Sequence, residues 1–188
     1  MLASLLEHLV ESDEALGLAR DGGEAFCSSP LRPFLIAALL AHAPAPRPTV
    51  VVAPDDRAAG ELAGDLAAWL APRRVRFYPS RGVTYESHLA PPPHLVGLRI
   101  AALDALAVAG AGAGPVLVAS ANALSEKVPD RELRPHSISL AVGELLDLDE
   151  CAQALVEMGY ARVSQVEDRG QFAVRGGLLD VFGATAER

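Results

Sequence analysis

Several residue groups in this sequence have types and spacings that could support chemistry. Asp55-Asp56 stand side by side after the run Thr49–Ala53, and paired carboxylates can hold a metal or move a proton. They also open a helical pattern, where capping and the helix dipole account for both. Cys27-Ser28-Ser29-Pro30-Leu31-Arg32-Pro33 lies where the first turn of an α/β sheet would cradle a phosphate. Such a loop needs glycines, so that backbone N–H groups can close on the phosphates, and a lysine for the terminal ones. This turn has neither, and Pro30 and Pro33 remove two donors, so it reads as a structural helix start. His88 and His94 flank Pro91-Pro92-Pro93 at a separation that suits no zinc site. Ser28, Ser80 and Ser120 lack the Gly-x-Ser-x-Gly context of a hydrolase elbow. None of these amounts to a catalytic constellation, and no metal or cofactor site is expected.

Two stretches point to binding instead. Residues 77–93, FYPSRGVTYESHLAPPP, bring Tyr85 close to Arg81, and an aromatic ring beside a guanidinium suits stacking and phosphate contact with nucleic acid. Packing of Phe77 and Tyr85 onto a sheet explains the same residues. Gly159–Phe182 reads as strand, tight turn, strand, bulge, strand. Val163, Val166, Phe172 and Val174 favour β structure, Glu167–Gly170 supply the turn, and Gly176-Gly177 break the run before Leu178, Leu179, Val181 and Phe182. Arg162, Arg169 and Arg175 lie on or beside this small sheet in a chain that is otherwise acidic.

The elements that must position these residues follow from hydrophobic spacing. Leu2, Leu5, Leu6, Leu9 and Val10 predict an amphipathic helix, and Glu24–Cys27 a short strand. Ser28 stands as N-cap, with Pro30 near N1, to a helix continuing through Phe34–Ala41. Thr49–Ala53 and Pro115–Ala119 are apolar throughout, as strands buried on both faces are. Helices are expected from Asp55 or Asp56 to about Leu70, over Leu95–Leu106 and Leu148–Met158, with a short one at Ser120–Leu124. Further strands are expected at Arg74–Tyr78 and along Ile138, Leu140 and Val142. Strands alternating with helices indicate a parallel α/β sheet with helices on both faces. From about Ser137 the pattern becomes meander-like, so the expected division is an α/β domain over 1–136 and a smaller α+β unit over 137–188.

The totals agree with a binding protein. The chain has 188 residues, 51% of them hydrophobic, enough for a sizeable core. A net charge of −8 argues against a nucleic-acid grip spread over the whole surface, and Lys127 is the only lysine. Cys27 and Cys151 fit no metal spacing and read as reduced thiols. No apolar run is long enough to span a membrane, and the start of the chain lacks the basic region of a signal peptide, so a cytoplasmic location is expected.

Four stretches together carry a family resemblance: VVVAPDDRAAGELAGDL at 50–66, FYPSRGVTYESHLAPPPHLVGLRIAALDAL at 77–106, PVLVASANALSEKVP at 115–129, and GYARVSQVEDRGQFAVRGGLLDVF at 159–182. With them the chain resembles the N-terminal part of the bacterial transcription-repair coupling factors (Mfd) over nearly its whole length. The resemblance implies a module similar to the excision-repair subunit UvrB. That module has a RecA-like α/β domain with a degenerate P-loop and no ATPase motifs, and an inserted domain 2 that binds UvrA. The family's full-length proteins use ATP and Mg in a DNA translocase, and contact RNA polymerase and DNA through parts further along; by this reading the chain ends inside domain 2 and leaves its sheet unfinished. Arg162 stands where the family has an arginine after the Gly-Tyr pair, and Arg175 in its Arg-Gly step. Phe172 fills the aromatic position of the intervening strand, and Ala173 replaces a second arginine that UvrB relatives carry there. The implied function is non-catalytic: recruiting UvrA to stalled RNA polymerase in transcription-coupled nucleotide excision repair, with Arg162, Phe172 and Arg175 as interface residues. The alternative is a UvrB-class, ATP-dependent DNA-damage-binding domain.

Overall fold

The computed structural model describes residues 3–7, 13–43, 47–84, 87–107, 114–128, 138 and 140–184. They form two compact units. Unit 1 comprises Met1–Ser80 and Arg99–Ser125, and unit 2 comprises Arg81–Leu98 and Glu126–Arg188.

Unit 1 is built on a three-stranded parallel sheet of β1 (Thr49–Ala53), β2 (Val75–Tyr78) and β3 (Val116–Ser120), in the order β1-β3-β2. Around it lie α1 (Ala3–Leu6), α2 (Asp13–Asp21), α3 (Arg32–Ala41), α4 (Asp56–Leu70), α6 (Ala121–Ser125) and most of α5 (Pro93–Ala107). The expected α/β class is therefore observed. Helix α4 starts where Asp55 accepts the Ala58 N–H at 2.8 Å. It buries Ala59, Ala63, Leu66 and Leu70, one helical stripe, against Val116 and Val118 of β3. Small alanines on α3 and α4 give close packing there, and Phe34 meets Trp69 edge to face at 5.4 Å between ring centroids. On the opposite face Tyr78, Leu117 and Ala119 pack with Ala102, Leu103 and Leu106 of α5 and Ala123 of α6. Alternate residues of β3 thus feed two cores, and all five are buried.

Three expectations for unit 1 need correction. Glu24–Cys27 forms no strand, and Phe26 is fully exposed; a short extended run without a neighbouring strand has nothing to bond to. Ser28 precedes a 3-10 turn at Ser29–Leu31 rather than the α-helix itself, and its side chain makes no capping bond. Strand β1 is not buried on both faces: Val50 and Val52 are 50% and 55% exposed. Of the three strands, only β2 and β3 contribute to the second core, so that side of β1 is left uncovered by it.

Unit 2 carries β4 (Ala161–Arg162), β5 (Gln171–Arg175) and β6 (Leu178–Phe182) in that order, with α7 (Leu148–Glu157) and the first turns of α5. Asp147 caps α7 by accepting the N–H groups of Asp149 and Glu150 at 2.9 and 3.1 Å. The helix buries Cys151, Ala152 and Leu155 against Phe172, with Met158, Tyr160, Val174 and Leu179 around them. The strand expected along Ile138, Leu140 and Val142 is absent among the described residues; these side chains are exposed and residue 139 lies outside the description.

Candidate functional site

The small sheet of unit 2 holds the interface candidates. Strands β5 and β6 are an antiparallel hairpin, with Arg175 opposite Leu178 across a two-residue turn. Gly176 takes φ +57 there, as short hairpin turns demand. The glycine pair is therefore the hairpin turn and not a bulge. β4 pairs with β5 in parallel, Ala161 beside Gln171 and Arg162 beside Phe172, so Glu167–Gly170 do not form a hairpin turn. They belong to a loop whose Glu167 and Asp168 N–H groups both donate to Gln171 Oε1, at 2.9 and 3.0 Å. The loop closes where the Ala161 N–H donates to Gly170 O at 2.8 Å and the Gly170 N–H to Phe182 O at 2.9 Å.

This register decides what each candidate can do. Paired residues share a face and faces alternate along a strand. Arg162 therefore lies on the side of Phe172 and Val174, and Arg175 on the side of Ala161, Gln171 and Asp180. The two arginines are on opposite faces. Phe172 is fully buried in the α7 core, so it supports the sheet from behind and presents nothing to a partner, contrary to expectation. Arg175 is exposed and its Nη2 donates to Asp180 Oδ2 at 2.6 Å, while Arg162 is exposed with no ion pair among the described residues. Arg169 sits over the Phe182 ring at 5.3 Å. A groove of about 800 Å³ on the Ala161–Gln171 side is lined by these two residues with Pro93, His94, Asp168 and Arg169.

Of the proposed nucleic-acid contacts, Tyr85 lies outside the described residues. Arg81 is half-buried, with its N–H donating to both Glu126 carboxylate oxygens at 3.0 and 3.1 Å. Its Nε is buried without a hydrogen-bond partner among the described residues, so that nitrogen does not reach solvent.

Sequence reasoning missed a polar cluster in unit 1, beyond the C-terminal ends of the parallel strands. Asp55 alone caps α4; Asp56 turns inward. Its Oδ1 accepts from the Ser80 N–H at 3.0 Å and from Ser120 Oγ at 2.6 Å, and its Oδ2 accepts from Ser80 Oγ at 2.5 Å. Ser120 Oγ in turn accepts the Ala123 N–H at 3.0 Å and so starts α6. Arg99 donates to Pro79 O at 2.7 Å and stacks over the Tyr78 ring at 4.3 Å. Burial pushes the Asp56 pKa up, but the bonds from Ser120 and Ser80 and the Arg99 charge outweigh it and hold the carboxyl below the usual carboxylate range. Among the described residues no three His, Cys, Asp or Glu side chains converge as metal ligands, and no helix is long and apolar enough to cross a membrane.

Residues 138–188 match the UvrB interaction domain family, which places the small sheet and α7 within that domain. The chain is 41% identical over 144 residues to the transcription-repair-coupling factor of Myxococcus xanthus, covering 72% of this chain and 12% of that protein. It is 36% identical over 144 residues to the one from Mycobacterium bovis, covering 74% and 12%. With the one from Staphylococcus aureus strain USA300 it shares 32% over 130 residues, covering 69% and 11%. The chain spans about an eighth of the length of the curated relatives it matches. Over that span it belongs to the family of the transcription-repair-coupling factors and carries their UvrB interaction domain at residues 138–188.

Proposed function

We propose that this chain is a non-catalytic docking module that binds UvrA and thereby recruits it to stalled RNA polymerase in transcription-coupled nucleotide excision repair. The match of residues 138–188 to the UvrB interaction domain carries this reading. Unit 1 serves as a RecA-like scaffold without ATPase motifs; the sequence holds no Gly-Lys-Ser/Thr step, its one lysine being Lys127 in Ser125-Glu126-Lys127-Val128. RNA polymerase, DNA, ATP and Mg are engaged by other parts of the longer protein.

The docking face is the one bearing Ala161, Gln171, Arg175 and Asp180. The opposite face is occupied by α7 around Phe172, whereas Arg175 is exposed near the hairpin turn with a groove on the same side. A guanidinium there can exchange its Asp180 partner for a carboxylate of UvrA, because forked N–H donors bind carboxylates through two bonds. Titrating the chain with UvrA tests both statements. Arg175→Ala is expected to weaken binding by about tenfold or more, as arginine hot spots do. Unchanged affinity would remove Arg175 from the interface, and failure of the unaltered chain to bind UvrA would overturn the docking reading itself.

A further inference from the structure

The chain passes between its two units three times, at Ser80–Arg81, Leu98–Arg99 and Ser125–Glu126. The second lies inside helix α5, whereas the first and third have charged or hydroxyl anchors near them. On the unit 1 side, Ser80 is the last residue before the first passage, and both its N–H and its hydroxyl donate to Asp56. Arg99 is the first residue after the second passage, and it holds Pro79 O, one residue from the first. Ser120 starts the short helix that runs into the third passage, and it is bonded to the same Asp56 oxygen as the Ser80 N–H. On the unit 2 side, Arg81 and Glu126 are the residues that follow the first and third passages, and they are bonded to each other. Each anchor lies wholly within its own unit.

We propose that Asp56 and Glu126 are a matched pair of positioning residues, two carboxylates that fix the backbone where the chain leaves and enters each unit. The core between α3, α4 and β3 in unit 1 is apolar, built mainly from alanine, leucine and valine. Near the first and third passages, bonds instead converge on one carboxylate in each unit. A carboxylate with several donors and a nearby guanidinium holds them in one arrangement, because each donor displaced from it loses a charge-assisted bond. Removing the carboxylate therefore frees the passages while the apolar core of the same unit stays in place.

Residue-resolved amide hydrogen exchange on the full chain separates this from general support of the fold. The Ser80 amide reports the Asp56 bond directly, the Ala123 amide reports it through Ser120, and the Arg81 amide reports Glu126. Asp56→Ala is expected to speed exchange at Ser80 and Ala123 by about tenfold or more, with Leu66 in α4 and Leu155 in α7 unchanged. Glu126→Ala is expected to do the same at Arg81. Asp56→Asn keeps the shape and serves where the alanine variant does not fold, with the same two amides affected. Unchanged exchange at Ser80 and Ala123, or a loss spread evenly through α3, α4, β1 and β3, would overturn the proposal.

Discussion

Strand β3 of unit 1 and strand β5 of unit 2 are each the centre of three, and each ends in a polar residue, yet the two ends meet different surroundings. β3 is buried along its whole length, and its last residue, Ser120, spends its hydroxyl inside the molecule on Asp56 and the Ala123 N–H. β5 is buried at Phe172 and Ala173 and emerges at Arg175, whose guanidinium is exposed and paired to Asp180. The C-terminal edge of a parallel α/β sheet is where such folds take ligands. In unit 1 the donors at that edge converge on the chain's own carboxylate. In unit 2 the charged end of the strand stays at the surface. The contrast favours the smaller sheet as the face of the proposed docking, with the larger one in a supporting part.

The comparison would break most visibly through Phe172. It is fully buried between the small sheet and α7, and truncation of a buried phenylalanine costs about 3–5 kcal/mol. Phe172→Ala should therefore strip amide protection from α7 and β4–β6 while α4 and β3 keep theirs, and UvrA binding should disappear with it. Equal loss of protection in β3 would show that the two sheets fold as one cooperative body, and the division of roles drawn here would fail.

A smaller effect sharpens the other side. Asp56→Ala removes the shared acceptor of Ser80 and Ser120, and hydrogen bonds to charged groups suggest a cost of about 2 kcal/mol. The Asp56 pKa is lower folded than unfolded, so its contribution is complete above the unfolded carboxylate range and is lost as pH falls through the folded value. Urea unfolding of the chain should show this acid-side loss, and Asp56→Ala should flatten it. Parallel acid profiles for the two proteins would remove Asp56 from the list of stabilising groups.

Asp56 also shows where the sequence stops being readable. Its capping neighbour Asp55 is legible because the partner is three residues away, whereas Ser80 and Ser120 lie 24 and 64 residues off. Local spacing likewise marks β1, β3, α4 and α7, whose apolar runs and caps are contiguous. It does not tell an edge strand from a central one, so Val50 and Val52 read as buried when they are half exposed. Glu167–Gly170 and Gly176-Gly177 both carry turn chemistry. Which of them makes the hairpin depends on whether β4 pairs in parallel, and that is a tertiary fact. The same pairing separates Arg162 from Arg175, which thirteen residues of sequence could not do.

The smallest expected effect tests that separation. Arg162 is exposed, makes no ion pair among the described residues, and by register faces the α7 side of the sheet. Arg162→Ala should change stability by no more than about 0.5 kcal/mol, as for surface positions generally. It should also weaken UvrA binding far less than Arg175→Ala does, because a partner seated on the Arg175 face reaches Arg162 only around the edge of β4. A double-mutant cycle with UvrA measures the relation. Independent, additive effects with a near-zero Arg162 contribution fit a one-faced docking surface. A loss at Arg162 equal to that at Arg175, with strong coupling between them, would mean that UvrA wraps the β4 edge and grips both faces.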